Sequence, residues 1–136
     1  MNMKHLPLVL IVIIFMGCHK ESTTQTEQKS VVLGESFTLK ADESIAIKGE
    51  QLSFRFDSVL NDSRCPEGGI CVWAGNAAVL LCFPDMNDTV NTFLDPKEIT
   101  YGNYKVKLQL LSPYPKIGQV IIPQNLYVAQ FVVSKN

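Results

Sequence analysis

The stretch LSFRFD, residues 52–57, places an apolar side chain at every second position: Leu52, Phe54 and Phe56 alternate with Ser53, Arg55 and Asp57. Successive side chains of a β-strand point to opposite faces, so this segment has one apolar and one polar face. The same period recurs along the chain. Phe37 and Leu39 alternate with Ser36, Thr38 and Lys40, and Val106, Leu108 and Leu110 alternate with Lys105, Lys107 and Gln109. Tyr127, Ala129, Phe131 and Val133 repeat it near the end of the chain. Ala77–Phe83, AAVLLCF, is apolar on both faces and reads as a central strand covered on both sides. Ile45–Ile47, Thr92–Leu94 and Val120–Ile122 read as shorter strands.

Turn signals separate these runs: KGE, ND, PDMND, DPK, YGN and SPYPK. No stretch combines a sustained helical period with caps. About 7–8 short strands at this spacing predict an all-β domain, an antiparallel β-sandwich or barrel, with the sandwich preferred.

The domain occupies only part of the 136 residues. Residues 1–17 begin with a basic start and continue through the apolar run Leu6–Met16. As a helix that run would span about 16 Å, against the roughly 30 Å of a bilayer core, so it reads as a signal peptide. The run ends in FMGC, and Gly17-Cys18 resembles the lipobox of bacterial lipoproteins. That resemblance implies cleavage before Cys18, lipidation of its thiol and attachment to a membrane. Residues 18–30 carry the lipidated cysteine and a tether, whose segment HKESTTQTEQKS has no apolar residue to bury. Fully extended, the tether reaches about 40 Å. The HKE just after Cys18 resembles the short export signals of some surface lipoproteins, which would favour the outer membrane. Residues 31–136 remain for one β-sandwich domain, enough for a single core.

Charge excludes one class of partner. Of 12 basic and 13 acidic residues only Lys4 falls in the leader, leaving 11 basic against 13 acidic. The basic surface that drives phosphate contacts is missing, so no nucleic acid is expected.

Chemistry concentrates in DSRCPEGGICVWAGNA, residues 62–77. Cys65 and Cys71 are six apart, with Pro66, Gly68 and Gly69 between them to fold the chain back. Outside the cytoplasm such a pair is expected to form a disulfide, worth about 2 kcal/mol on the chain-entropy model. Cys82 is then left over as a buried free thiol, unless it bridges to Cys65 or Cys71 instead. The Cys-x5-Cys spacing does not suit a closed zinc site, and residues 31–136 contain no histidine. That absence also removes the usual base of Ser-His-Asp or Cys-His catalysis. Neither a cofactor nor an enzymatic activity is expected, though carboxylate chemistry at Asp62 or Glu67 stands as a third alternative.

Trp73 has two readings: a lid packed over the disulfide, or an exposed aromatic contact for a ligand. Asp62, Arg64 and Glu67 read first as turn and ion-pair residues and second as the exposed tip of a rigid binding loop. Asp85, Asn87 and Thr89 in DMNDTVN have the alternating oxygen spacing of calcium loops, but the glycine and closing glutamate are missing. A hairpin turn explains them better.

Asp62, Ser63, Arg64, Cys65, Pro66, Cys71, Trp73 and Gly75 together resemble a set of uncharacterised bacterial envelope lipoproteins. These carry Asp-Ser-Arg-Cys-Pro, a second cysteine and Trp-x-Gly; the likeness extends to the following strand and to LSPYP, residues 111–115. It implies a lipid-anchored β-domain and no particular reaction. The functional expectation is therefore a non-enzymatic module of the cell envelope, binding an envelope protein or glycan through the 61–76 loop. Its alternative is an inhibitor of an envelope or foreign hydrolase, using Arg64–Ile70.

Overall fold

The computed structural model describes residues 29–119 and 121–136. The leader, Cys18 and the tether up to residue 28 lie outside the described residues. Nine strands occur among the described residues: β1 Ser30–Val31, β2 Ser36–Lys40, β3 Glu43–Ile47, β4 Ser53–Asp62 and β5 Ala77–Cys82, then β6 Asn87–Asn91, β7 Glu98–Tyr101, β8 Tyr104–Ser112 and β9 Val128–Lys135. They form two sheets, ordered β1-β3-β4-β5-β6 and β2-β9-β8-β7. Neither sheet closes on itself or on the other, so the chain builds an open sandwich and not a barrel. All pairings are antiparallel except β1 with β3. Ser30 belongs to that parallel pair, opposite Ala46.

The alternation in the sequence explains why the sheets stack. Phe54 and Phe56 of β4 and Phe37 and Phe131 of the opposite sheet are all buried in one core. Their rings interlock across the interface: Phe54 and Phe56 meet Phe131 edge-on, at centroid distances of 5.8 and 6.1 Å. Edge-to-face pairs of this kind add about 0.5–1.5 kcal/mol each beyond the area they bury.

Four expectations need correction. First, β8 carries a register shift between Leu108 and Leu110. The extra residue reverses the inward phase, so Leu110 is 48% exposed and Leu111 is 1% exposed. Second, β4 continues through Asn61-Asp62, which read as a turn, because two such shifts let it follow β5 to Ala77. Third, Thr92–Leu94 is a bend and not a strand. The Asn76 side chain accepts hydrogen bonds from the Phe93 and Leu94 backbones (3.0 and 3.2 Å), which curls the chain away from the ladder. DMNDTVN supplies the strand instead, as β6. Fourth, Ile121 and Ile122 lie outside any strand and lead through Pro123 into the 3-10 turn Gln124–Leu126, since proline cannot donate to a ladder.

β5 is an inner strand, between β4 and β6. Only Ala77, Val79 and Leu81 are buried; Ala78, Leu80 and Cys82 are half-buried on the outer face, so the two-sided cover expected there is incomplete.

Candidate functional site

The 61–76 loop leaves the sheet between β4 and β5 with its neck held by two backbone bonds. Ser63 N–H donates to Asn76 O at 2.7 Å, and Cys65 N–H donates to Ala74 O at 2.9 Å. Gly75 makes this approach possible. Its φ is +74°, and a Cβ there would lie 2.0 Å from Ser63 O, so no side chain fits. Beyond the neck Cys65 and Cys71 form the disulfide, with Cα atoms 6.0 Å apart. Inside the ring Gly69 N–H donates to Pro66 O at 2.9 Å, closing the turn the sequence suggested. Cys82 is a free thiol.

Arg64 is not at the tip. It is 4% exposed, the one charged residue that is buried as a whole among the described residues. Its Nε donates to Asp62 Oδ1 at 2.8 Å and its Nη2 to Asp62 Oδ2 at 2.6 Å. Its guanidinium also donates to the carbonyls of Leu111 and Pro113, the latter at 2.7 Å, and lies 4.4 Å from the centre of the Tyr114 ring. The DSRCP and LSPYP stretches are thus one unit, with Arg64 bolted into the end of β8. Tyr127 completes it, its hydroxyl donating to Asp62 Oδ2 at 3.0 Å.

This arrangement fixes the protonation states. Burial pushes the Asp62 carboxyl up, but the hydrogen bonds and charge of Arg64, helped by Tyr127, outweigh it and hold the carboxyl below its ordinary value. Burial and the bond to Asp62 push the Tyr127 phenol up to about 12. Both oxygens of Asp62 accept hydrogen bonds, which leaves a carboxylate-based reaction without a free group at that position.

With Arg64 and Asp62 inside, the loop presents other residues. Ile70 and Val72 are fully exposed, and Trp73 is 50% exposed. The Trp73 ring packs edge-on against Phe93 at 6.3 Å, and Lys97 Nζ lies 5.6 Å from the Phe93 ring centre. Glu67 is exposed, and its backbone bridges to Lys116, with Glu67 N–H donating to Pro115 O at 2.9 Å. Ile117, also exposed, sits beside Gly68.

At the foot of the loop a cleft of about 490 Å³ runs between the Val59–Arg64 stretch and residues that include Pro115, Gln119, Ile121 and Gln124. The Gln124 side chain accepts from Val59 N–H at 2.9 Å and donates to Val59 O at 2.8 Å.

The calcium-type residues do not form a loop. Asn87 and Thr89 lie on β6, and Asp85 accepts the Tyr101 hydroxyl at 2.6 Å. Among the described residues no group of three or more His, Cys, Asp or Glu side chains could hold a metal ion.

Tyr114, Tyr127, Gln124 and Phe93 were not legible as site residues. The LSPYP turn was the sole hint, because its two prolines and tyrosine mark a rigid corner without saying what docks on it. No protein-family model, curated protein or solved structure matches this chain.

Proposed function

We propose that this protein is a lipid-anchored module of the bacterial cell envelope that recognises a partner protein through the apolar tip of its stapled loop. The observation that carries the reading is the placement of Ile70, Val72 and Trp73 in water on a segment fixed by a disulfide and a buried Arg64. Exposed apolar side chains on a pre-ordered loop lose little entropy on docking and gain the free energy of leaving water. A partner offering an apolar pocket matches them.

The topology favours display away from the anchored end. β1, which follows the tether, pairs beside Ala46, and Ala46 pairs with Ser53 at the start of β4. The loop leaves from Asp62, at the other end of this ten-residue strand. At about 3.3 Å per residue, roughly 30 Å separates the two. The lipobox-like FMGC and the resemblance carried by the DSRCP stretch support the anchored, envelope address.

A hydrolase inhibitor remains the second reading, favoured by the stapled Pro66–Gly69 turn. Arg64 plays no part in it as a contact, because it is buried.

The test uses the mature chain as bait in envelope extract, with wild type against Ile70→Ser/Val72→Ser. Wild type should retain a protein that the double variant loses, and the purified pair should bind with the same difference. Equal retention by both baits would remove the tip as the recognition surface. Stoichiometric slowing of a peptidase or lysozyme that vanishes in the variant would select inhibition.

A further inference from the structure

The cleft at the foot of the loop is distinct from its apolar tip. We infer that it is a groove for an extended, uncharged segment of polypeptide, contributed by the same partner; this rests on the recognition reading above. β3 pairs with β4 only from Ser53 to Phe56, whereas β4 runs on to Asp62. On this stretch, beyond the end of β3, the side-chain amide of Gln124 bonds both the N–H and the C=O of Val59. The amide occupies the place one residue of a neighbouring strand would take. Beyond Phe56 no β3 residue pairs with β4, and a strand flank without a neighbouring strand is where an added strand can dock.

The cleft begins next to Val59 and has the size of a ligand site, about 490 Å³. Leu60 and Ile121, both exposed, border it, and Pro66 and Pro115 close it toward the loop. Its charges are already matched. Asp62 and Arg64 are paired to each other, and the Arg64 guanidinium donates to the Leu111 and Pro113 carbonyls as well. No buried side-chain nitrogen or oxygen among the described residues lacks a partner. An ionic group entering would lose its hydration and find no free counter-charge, while a neutral chain with apolar side chains would lose little. Asn61, Ser63 and Gln119 leave neutral polar groups along the walls.

The experiment is a titration of the ¹⁵N-labelled mature chain with acetyl-Val-Thr-Val-Thr-Val-amide, followed by amide shifts. Companion probes replace both threonines by glutamate or by lysine, or are a soluble oligomer of N-acetylglucosamine. The neutral peptide should shift the amides of Leu60, Asn61 and Ile121 saturably. Ile121→Asp, at an exposed position that folding does not need, should weaken it by roughly tenfold or more. Ile70→Ser/Val72→Ser should leave that affinity unchanged. No saturable shift, equal binding of the charged peptides, a response to the sugar alone, or shifts confined to the tip would each overturn the groove. Partner capture that needs Ile70 and Val72 but survives Ile121→Asp would sink the groove and leave loop recognition standing. A peptide response without any tip-dependent partner would do the reverse.

Discussion

Arg64 and Asp62 face each other through two hydrogen bonds, of 2.8 and 2.6 Å, with side chains only 3% and 8% exposed. A pair this withdrawn is costly to break from one side, because the remaining charge stays buried without its counter-ion. Arg64→Met should therefore destabilise the domain by about 3–5 kcal/mol, read from urea unfolding. Asp62→Asn/Arg64→Met should cost less than the two single changes summed, since no lone charge is left inside. Strict additivity would mean the two residues act separately.

The same cluster sets the ends of the pH range. The Asp62 carboxyl titrates lower in the folded chain than in the unfolded one. Its contribution is present above the unfolded value of about 3.9 and is lost as pH falls through the depressed folded value. The stability gap between wild type and Asp62→Asn should narrow as pH drops below about 4. Tyr127 behaves oppositely, its phenol raised to about 12. Its contribution is full below the unfolded value of about 10 and is lost as pH rises toward the folded one. The difference between wild type and Tyr127→Phe should be flat through neutral pH and shrink only at the alkaline end.

Gly75 and Gly34 both have positive φ, +74° and +84°, but only at Gly75 would a Cβ strike backbone. Gly34→Ala should cost about 1–2 kcal/mol for the left-handed conformation alone. Gly75→Ala should cost about 2–4 kcal/mol, because the neck must also open around Ser63 O. Equal losses of melting temperature for the two variants would show that the neck yields freely.

In β8 the register shift between Leu108 and Leu110 decides which of the adjacent Leu110 and Leu111 faces the core. Leu111→Ala should cost about 2–5 kcal/mol as a cavity in the core. Leu110→Ala, on the outer face, should change stability by less than about 1 kcal/mol. Reversed sensitivities would place the shift elsewhere.

These leucines also mark where sequence reasoning reached its end. Alternation located β2, β4, β8 and β9, because burial of one face imposes a period of two whatever the residues' partners are. LQLL contains no signal for the extra residue, since a bulge is set by what the partner strand needs and not by local composition. Thr92–Leu94 has β-prone residues that the distant Asn76 side chain overrides. Asp62 and Arg64 were readable as ion-pair residues without their pairing, and the Cys65–Cys71 bridge from spacing. The carbonyls that bury Arg64 lie 47 and 49 residues further on, where no local pattern could announce them. The packing of Trp73 on Phe93 was hidden for a like reason, since Phe93 comes from a different connection.

The staple and the clamp hold different parts of the loop, and removing the disulfide should show it. Cys65→Ser/Cys71→Ser frees a short ring and should cost about 2 kcal/mol. The Ser63 neck bond and the Arg64 contacts are made outside the 65–71 ring, and the Cys65 bond is made at its root. Amide exchange at Gly69 should therefore speed up strongly in the variant, while positions 63 and 65 keep most of their protection. Binding through Ile70 and Val72 should weaken, because the tip would have to be ordered at the moment of docking. Neck and tip losing protection together would mean that the disulfide, and not Arg64, organises the loop. Retained protection with unchanged binding would mean that the buried guanidinium alone suffices to present the tip.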